Sequence, residues 1–366
     1  MTGIIVHEWL ERFGGAENVV DRFAAMYPQA PIQSLWNDAP DRFDPARVRE
    51  TWLARTPLRS RKALALPFQP STWRHLGALD ADWIVCSSHL FAHHARFSGS
   101  ARDAPKHVYV HTPARYIWNP ELDERGRSAA VRAAAPALRA IDRARAGEAA
   151  TMMANSAAVR ERIREHWGVD AGVIHPPVDV AGLRVSAPLS AAETTVLDDL
   201  PSEYLLGASR FVPYKRLDVV VRAGASAGLP VVLAGGGPER DALVALAAQR
   251  GVRLVLVDSP SRALLAELYR RSIAYVFPAI EDFGIMPVEA MATGTPVIGR
   301  TTGGVAESVQ DGVGGVLIED LGGFEGAELR AALDRIATLD RTAVADSALR
   351  FDTAEFDRAV REWLPA

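Results

Sequence analysis

Two glutamates eight positions apart, Glu281 and Glu289, stand in the stretch "EDFGIMPVEA" (281–290), between the apolar runs "AYVFP" (274–278) and "PVIGR" (296–300). Both runs read as buried strands. An acid just past a strand, a turn at Phe283 and Gly284, and a second acid in the first turn of a helix suit an anionic ligand that also carries hydroxyls. Free N–H groups near Gly284, Ile285 and Met286 favour an anion. Pro287 fits the first helical position, where its missing N–H costs nothing. One carboxylate could then accept from sugar hydroxyls and the other from a ribose diol, with a diphosphate between them. A capping acid and an ion-paired acid explain each glutamate singly but not the combination.

Further candidates also follow strands. Arg210 and Lys215 in "SRFVPYKRLD" (209–218) flank a Pro-Tyr turn. Together they can neutralise a diphosphate, the arginine through forked hydrogen bonds and the lysine as a point charge. His111 closes the strand-like "KHVYVH" (106–111), with Arg115, Tyr116 and Trp118 just beyond it. Gly14 and Gly15 precede a helix that begins near Ala16, where unblocked backbone N–H groups and the helix dipole suit a negative group. The segment "VVLAGGGPERDALVALAAQRGVRLVLVD" (231–258) runs strand, glycines, helix, strand and then Asp258, which invites a dinucleotide reading. Gly235, Gly236 and Gly237 are contiguous, however, and Pro238, Glu239 and Arg240 stand where the third spaced glycine should fall.

These residues need a scaffold, and the chain supplies alternating apolar runs and helical patterns, the signature of parallel α/β architecture. Candidate strands in the first half are 3–7, 82–87, 106–111, 151–156 and 171–177; those in the second are 204–209, 230–235, 253–258, 274–278, 296–300 and 314–319. The alanine- and arginine-rich stretch 127–149 reads as a helix, and the proline-rich 176–202 as a linker. Two doubly wound domains facing a cleft are therefore expected, over 1–180 and 195–345. Ligands of such sheets bind beyond the carboxyl ends of the strands.

Bulk composition narrows the class. The 366 residues are 48% hydrophobic and 23% charged, a globular composition, and a formal charge of −4 does not suggest a nucleic-acid binder. The single cysteine, Cys86, lies in "DWIVCSS" (82–88), excludes an intrachain disulfide, and reads as a core residue. No apolar run is long enough to span a bilayer and no signal peptide is read, so the chain is expected in the cytoplasm. Residues 1–180 hold 23 basic and 20 acidic side chains, against 18 and 25 in the remainder. The stretch 51–79 contains Arg55, Arg59, Arg61, Lys62 and Arg74 and no acid, with tryptophans and leucines interleaved. It is either a solvated helix with one buried side or a surface for anionic lipid or a lipid-diphosphate acceptor.

The motifs "GGAE" (14–17), "YVHTPARYIWN" (109–119), "ANSAAVRERI" (154–163), "VIHPPVD" (173–179), "SRFVPYKRLD" (209–218), "GGGPE" (235–239) and "EDFGIMPVEAMATGTPVIG" (281–299) follow in this order along nearly the whole chain. In them the sequence resembles the retaining glycosyltransferases of family 4, with the GT-B fold, and most of all the branch with GDP-mannose-dependent mannosyltransferases. The resemblance implies two Rossmann-like domains, the second binding a nucleotide-sugar donor and the first an acceptor. A final helix, about 350–366, with Phe356, Val360 and Trp363 at helical spacing, would cross back to the first domain. By motif, Gly14 and Gly15 would approach the donor, and His111 would contact its sugar near the reacting centre. Arg210 and Lys215 would hold the diphosphate, Glu281 with the backbone of Phe283, Gly284 and Ile285 the sugar hydroxyls, and Glu289 the ribose. Arg115, Tyr116 and Trp118 fall on the acceptor side. The acceptor would be a glycan, a lipid-linked group or a small molecule, with a peripheral membrane contact through 51–79. No metal or other cofactor is implied. A UDP-sugar-dependent transferase, a GT-B epimerase and a non-catalytic nucleotide-sugar-binding subunit are the alternatives. "VDSPS" (257–261) departs from the family pattern, which has glycine after that strand, near the nucleotide base.

Overall fold

The computed structural model describes residues 2–12, 14–120 and 129–364. The chain divides into two compact units, one of Met1–Pro177 with Ala354–Ala366, the other of Val178–Thr353. In the first, seven parallel strands are ordered β3-β2-β1-β4-β5-β6-β7: β1 (Gly3–His7), β2 (Ile32–Ser34), β3 (Val48–Glu50), β4 (Trp83–Ser88), β5 (Lys106–Val110), β6 (Thr151–Ala154) and β7 (Gly172–Val173). β1, β4 and β5 are buried along their whole length, which is why they read as unbroken apolar runs. β2 and β3 went unread because three residues each, "IQS" and "VRE", leave no pattern. The exposed Arg49 and Glu50 of β3 protect the sheet edge from further pairing.

The second sheet has six parallel strands, β10-β9-β8-β11-β12-β13: β8 (Leu205–Ala208), β9 (Val231–Ala234), β10 (Leu254–Val257), β11 (Ala274–Phe277), β12 (Val297–Arg300) and β13 (Gly315–Ile318). All six were expected from sequence. In each unit the first strand lies inside the sheet, its two successors build to one side, and the rest build to the other. That order creates a switch point between β1 and β4, and another between β8 and β11.

One face of the first sheet is covered by helix Gly15–Met26 and by the last helix, Thr353–Trp363. Phe356 packs on Phe23 and Tyr109, with ring centroids 5.8 and 6.0 Å apart. Asp357 pairs with Arg22, and the Trp363 indole N–H donates to Thr151 Oγ1 at 2.7 Å. The last helix thus completes the first unit's core, as the family resemblance implied. Cys86 is buried, and burial pushes its thiol up to about 12 against the nearby Lys106, fitting a core residue.

Two local expectations change. The stretch 51–79 is not one helix but a chain of short turns and helices, Trp52–Arg55, Pro57–Ser60, Lys62–Ala65, Leu66–Phe68 and Gln69–Arg74. Pro57, Pro67 and Pro70 each withhold an N–H that a continuous helix needs. The stretch 176–202 is not an irregular linker either. It contains helices Val180–Leu183 and Ala191–Asp198, the second closed by a reciprocal cap between Ser190 and Glu193. From Val178 onward it belongs to the second unit. Of the alanine-rich helix expected over 127–149, Ala129–Ala146 is observed, and residues 127–128 lie outside the described residues.

Candidate active site

At the second sheet's switch point the chain leaves β8 through the exposed Arg210 and turns at Pro213–Lys215. It then passes Arg216 in the left-handed region (φ 55°) into helix Leu217–Ala227. Arg216 is not a spare cation, since it forks onto Asp218 with two 3.0 Å bonds. Beside β8, the chain leaving β11 brings Glu281 to Lys215, and the two form an ion pair. Arg210 donates to the Tyr214 hydroxyl at 2.7 Å, and the Lys215 ammonium lies 5.2 Å from the Tyr214 ring centre. The main chain of Glu281 is fixed by the Gly304 N–H at 2.8 Å. Arg210, Lys215 and Glu281, drawn from two chain segments about seventy residues apart, are therefore gathered at the edge where ligands of such sheets bind.

Helix Ile285–Ala292 begins after Gly284, whose φ of 83° is one that side chains other than glycine rarely tolerate. Its register differs from expectation. Ile285, not Pro287, is its first residue, so Pro287 is third and Glu289 fifth, beyond the first turn. Pro287 still costs no hydrogen bond, because the first four N–H groups of a helix have no partner within it. Phe283 is buried against Phe351, ring centroids 5.3 Å apart, and anchors the turn. Glu289 keeps part of its surface open, but the protein packed round its carboxyl pushes the pKa up, with Arg262 opposing.

The three glycines have a packing role. The Gly236 carbonyl accepts from Phe211 N–H at 2.8 Å, and the Phe211 carbonyl accepts from Glu239 N–H at 3.1 Å. A Cβ at Gly237 (φ 151°) would stand 2.6 Å from that Phe211 oxygen. The glycines therefore let their loop lie against the turn that carries Arg210. Asp258, the residue placed to hold a ribose in a dinucleotide site, pairs with Arg240.

In the first unit, His111 is buried just past β5, its Nε2 2.8 Å from Ser87 Oγ at the end of β4. Gly14 is exposed, and helix Gly15–Met26 starts one residue before the expected Ala16. A Cβ at Gly14 would meet the Glu17 carboxylate at 2.0 Å, so the chain's own acid faces this helix start. That leaves the turn better suited to a hydroxyl than to a phosphate. Arg115 and Tyr116 are half-buried on the short helix Arg115–Trp118. Trp118 is already engaged: its N–H donates to Asp142 at 2.6 Å, and its ring stacks on His166 at 4.8 Å. The guanidiniums of Arg139 and Arg143 both lie 5.5 Å from that ring. Trp118 is thus a packed residue.

Three residues not singled out from sequence stand at this edge. His7 ends β1, Glu8 follows it, and His89 follows β4. Glu8 is fully buried. Burial alone would raise its pKa, but His89, His7 and the N–H groups of Ala92 and Leu90 outweigh it and hold the carboxyl at about 2. Inspection of strand ends could have found them, since "VHE" and "SSH" sit there as "YVH" does.

Two parallel sheets with this strand order, and ligand-type residues at their switch points, make up the GT-B fold of glycosyltransferases. Solved structures agree on the fold. Anabaena Alr3699/HepE in complex with UDP superposes with a TM-score of 0.71 over 99% of each chain at 19% identity. WaaG, a glycosyltransferase involved in lipopolysaccharide biosynthesis, gives 0.69 over 100% of each at 16% identity. Residues 13–181 match the family model Glycosyltransferase Family 4, and residues 197–330 match Glycosyl transferases group 1. The chain thus matches models for both domains of GT-B glycosyltransferases of the family 4 type. Among curated proteins, the D-inositol 3-phosphate glycosyltransferase of Mycolicibacterium vanbaalenii is 34% identical over 196 residues, 48% of this chain and 43% of that protein. The chain spans less than half the length of this relative.

Proposed function

We propose that the protein transfers a hexose from a nucleotide sugar to an acceptor hydroxyl with retention at the anomeric carbon, mannose from GDP-mannose being the favoured donor. The observation that carries the reading is the meeting of Arg210, Lys215 and Glu281 at the β8/β11 switch point, beside the helix start at Gly284–Ile285. In the reaction the bond from the anomeric carbon to the diphosphate oxygen breaks. The acceptor oxygen bonds to that carbon on the same face, and its proton passes to the departing diphosphate. Negative charge grows on the diphosphate as the bond stretches, and Arg210 and Lys215 stand ready to meet it. Glu281, relieved of Lys215, is then free to accept from sugar hydroxyls, Glu289 takes the ribose, and His111 serves the sugar near the reacting carbon. This chemistry asks for no metal on the diphosphate, so turnover should be indifferent to added Mg2+.

Support for guanine and mannose comes from the motifs "HTPARY", "RFVPYKR" and "EDFGIMPVEA". UDP and UDP-glucose in the HepE structures favour a uridine donor as the second reading. A turnover panel of GDP-mannose, UDP-glucose and UDP-N-acetylglucosamine, with and without acceptor and with product anomers assigned by NMR, tests both. Turnover of UDP sugars alone overturns the mannose reading. Conversion of the donor without an acceptor would mark an epimerase, and no turnover of any donor a binding subunit.

The acceptor side carries a membrane-facing reading. Trp52, Leu64 and Phe68 are exposed by 53, 55 and 46%, and Trp52 and Phe68 touch edge to face. Of the cations in 51–79, Arg59, Lys62 and Arg74 pair with Asp38, Glu11 and Glu148, so they are not the free charges expected. The exposed Arg55 and Arg61 have no acidic partner among the described residues. Binding to vesicles of anionic lipid should weaken as salt rises. It should fall in Arg55→Gln/Arg61→Gln and in Trp52→Ser/Phe68→Ser. A wild type that ignores such vesicles at low salt points to a soluble acceptor, for which the phosphorylated cyclitol of the curated relatives' name is a first probe.

A further inference from the structure

The carboxyl ends of β1 and β4 bring together three side chains, each with one buried polar atom that has no hydrogen-bond partner among the described residues. One nitrogen each of His7 and His89 and one oxygen of Glu8 lie within 4.8 Å of one another. His7 and Glu8 are fully buried, whereas the His89 side chain keeps 25% of its surface open. His7 Nδ1 is 2.9 Å from the Ser87 carbonyl oxygen, which can only accept, so Nδ1 carries the proton and Nε2 is left as a bare acceptor. Glu8 Oε1 accepts from the Ser88 hydroxyl at 3.2 Å and from the N–H groups of His89, Leu90 and Ala92 at 3.1, 2.8 and 2.9 Å. These bonds fix the carboxylate's orientation and leave Oε2 bare. Glu8 Oε2 lies 3.1 Å from His89 Nδ1 without hydrogen-bond geometry. His7 Nε2, Glu8 Oε2 and His89 Nδ1 are all buried without a hydrogen-bond partner among the described residues.

A buried polar atom without a partner costs on the order of 1–3 kcal/mol, and three in one place need a common reason. A cation is the group that satisfies several lone pairs at once. The outer hydrogen bonds, carbonyl to imidazole N–H and donors to the far carboxylate oxygen, are those that orient metal ligands. We propose that His7, Glu8 and His89 form a binding site for a divalent transition metal of the Zn2+ class. Two imidazoles and one carboxylate suit that class, and the open side of His89 leaves room for a further ligand. The buried trio His93, His94 and Asp142 differs. There Asp142 Oδ1 is 3.0 Å from His94 Nε2, and its Oδ2 receives the indole N–H groups of Trp118 and Trp167 at 2.6 and 2.7 Å. Protein groups already engage both oxygens of that carboxylate, although His93 Nε2 and His94 Nδ1 have no hydrogen-bond partner among the described residues.

The site adjoins His111, whose ring centre lies 6.4 Å from those of His7 and His89, and it is tested without a nucleotide sugar. Chelator-treated full-length protein is titrated with Zn2+ by calorimetry, and with Co2+ by visible absorption. One equivalent should bind, and the Co2+ spectrum should carry the intensity of a low-coordinate site. His89→Ala, the change at the partly open ligand, should weaken binding by about 100-fold or more while far-UV circular dichroism stays native. Glu8→Gln should do the same where it folds. Absence of stoichiometric uptake by folded wild type overturns the proposal, as does undiminished uptake by folded His89→Ala.

Discussion

The ion pair between Lys215 and Glu281 sets what single substitutions should do. Lys215→Ala and Arg210→Ala should each lower kcat by about 10²–10³, the usual cost of removing a preorganised partner for transition-state charge. Unchanged circular dichroism would locate the loss in chemistry rather than folding, and near-normal turnover in either variant would remove the diphosphate assignment. Glu281→Gln should split binding from turnover. It frees the Lys215 ammonium and should tighten GDP binding by about threefold to tenfold, in line with roughly 1 kcal/mol for a partly exposed pair. It also loses a hydroxyl acceptor, so kcat should fall. Calorimetry with GDP beside steady-state rates reads both, and weaker GDP binding would mean that Glu281 does not compete with the diphosphate. The second unit's residues were legible because each follows a strong apolar strand within one short motif. Glu8, His89 and Ser87 were not: each looks like an ordinary polar strand end, and their partnership exists only once β1 and β4, about eighty residues apart, lie side by side. The helix register at Ile285 escaped for a different reason, since a proline is tolerated anywhere in a first turn.

Among elements, helix Thr353–Trp363 gives the clearest stability forecast. Phe356 is 3% exposed between Phe23 and Tyr109, so Phe356→Ala should destabilise the first unit by about 3–5 kcal/mol. Chemical denaturation followed by tryptophan fluorescence would report it. A change below about 1 kcal/mol would mean that the helix is dispensable to that core. The strands of the second sheet could all be read from sequence because each is a short apolar run closed by a turn. β2 and β3 could not, because three-residue strands fall below the length at which any periodicity exists. The broken stretch 51–79 misled in the opposite way. Its apolar and basic residues mimic a helical stripe, and only the three prolines reveal that no helix can run through it.

At the scale of the whole chain, the second unit is one uninterrupted segment, 178–353, whose two ends meet. Val178 N–H donates to the Phe351 carbonyl, and Thr353 N–H donates to the Val178 carbonyl, both at 3.0 Å. A fragment of these residues should fold alone, giving a cooperative transition and retaining GDP binding, measured by calorimetry. An aggregated or molten fragment would tie its stability to the rest of the chain. The first unit has no such independence, because its sheet comes from residues before 178 and one covering helix from residues after 353. Order of manufacture follows from this. A ribosome delivers the second unit complete while the first still has a bare apolar face around Phe23 and Tyr109. That face stays uncovered through the synthesis of some 175 residues, and chains in this condition are the ones that stick to one another. The nascent protein should therefore lean on a chaperone during that interval, and most heavily when translation stalls between the two crossings.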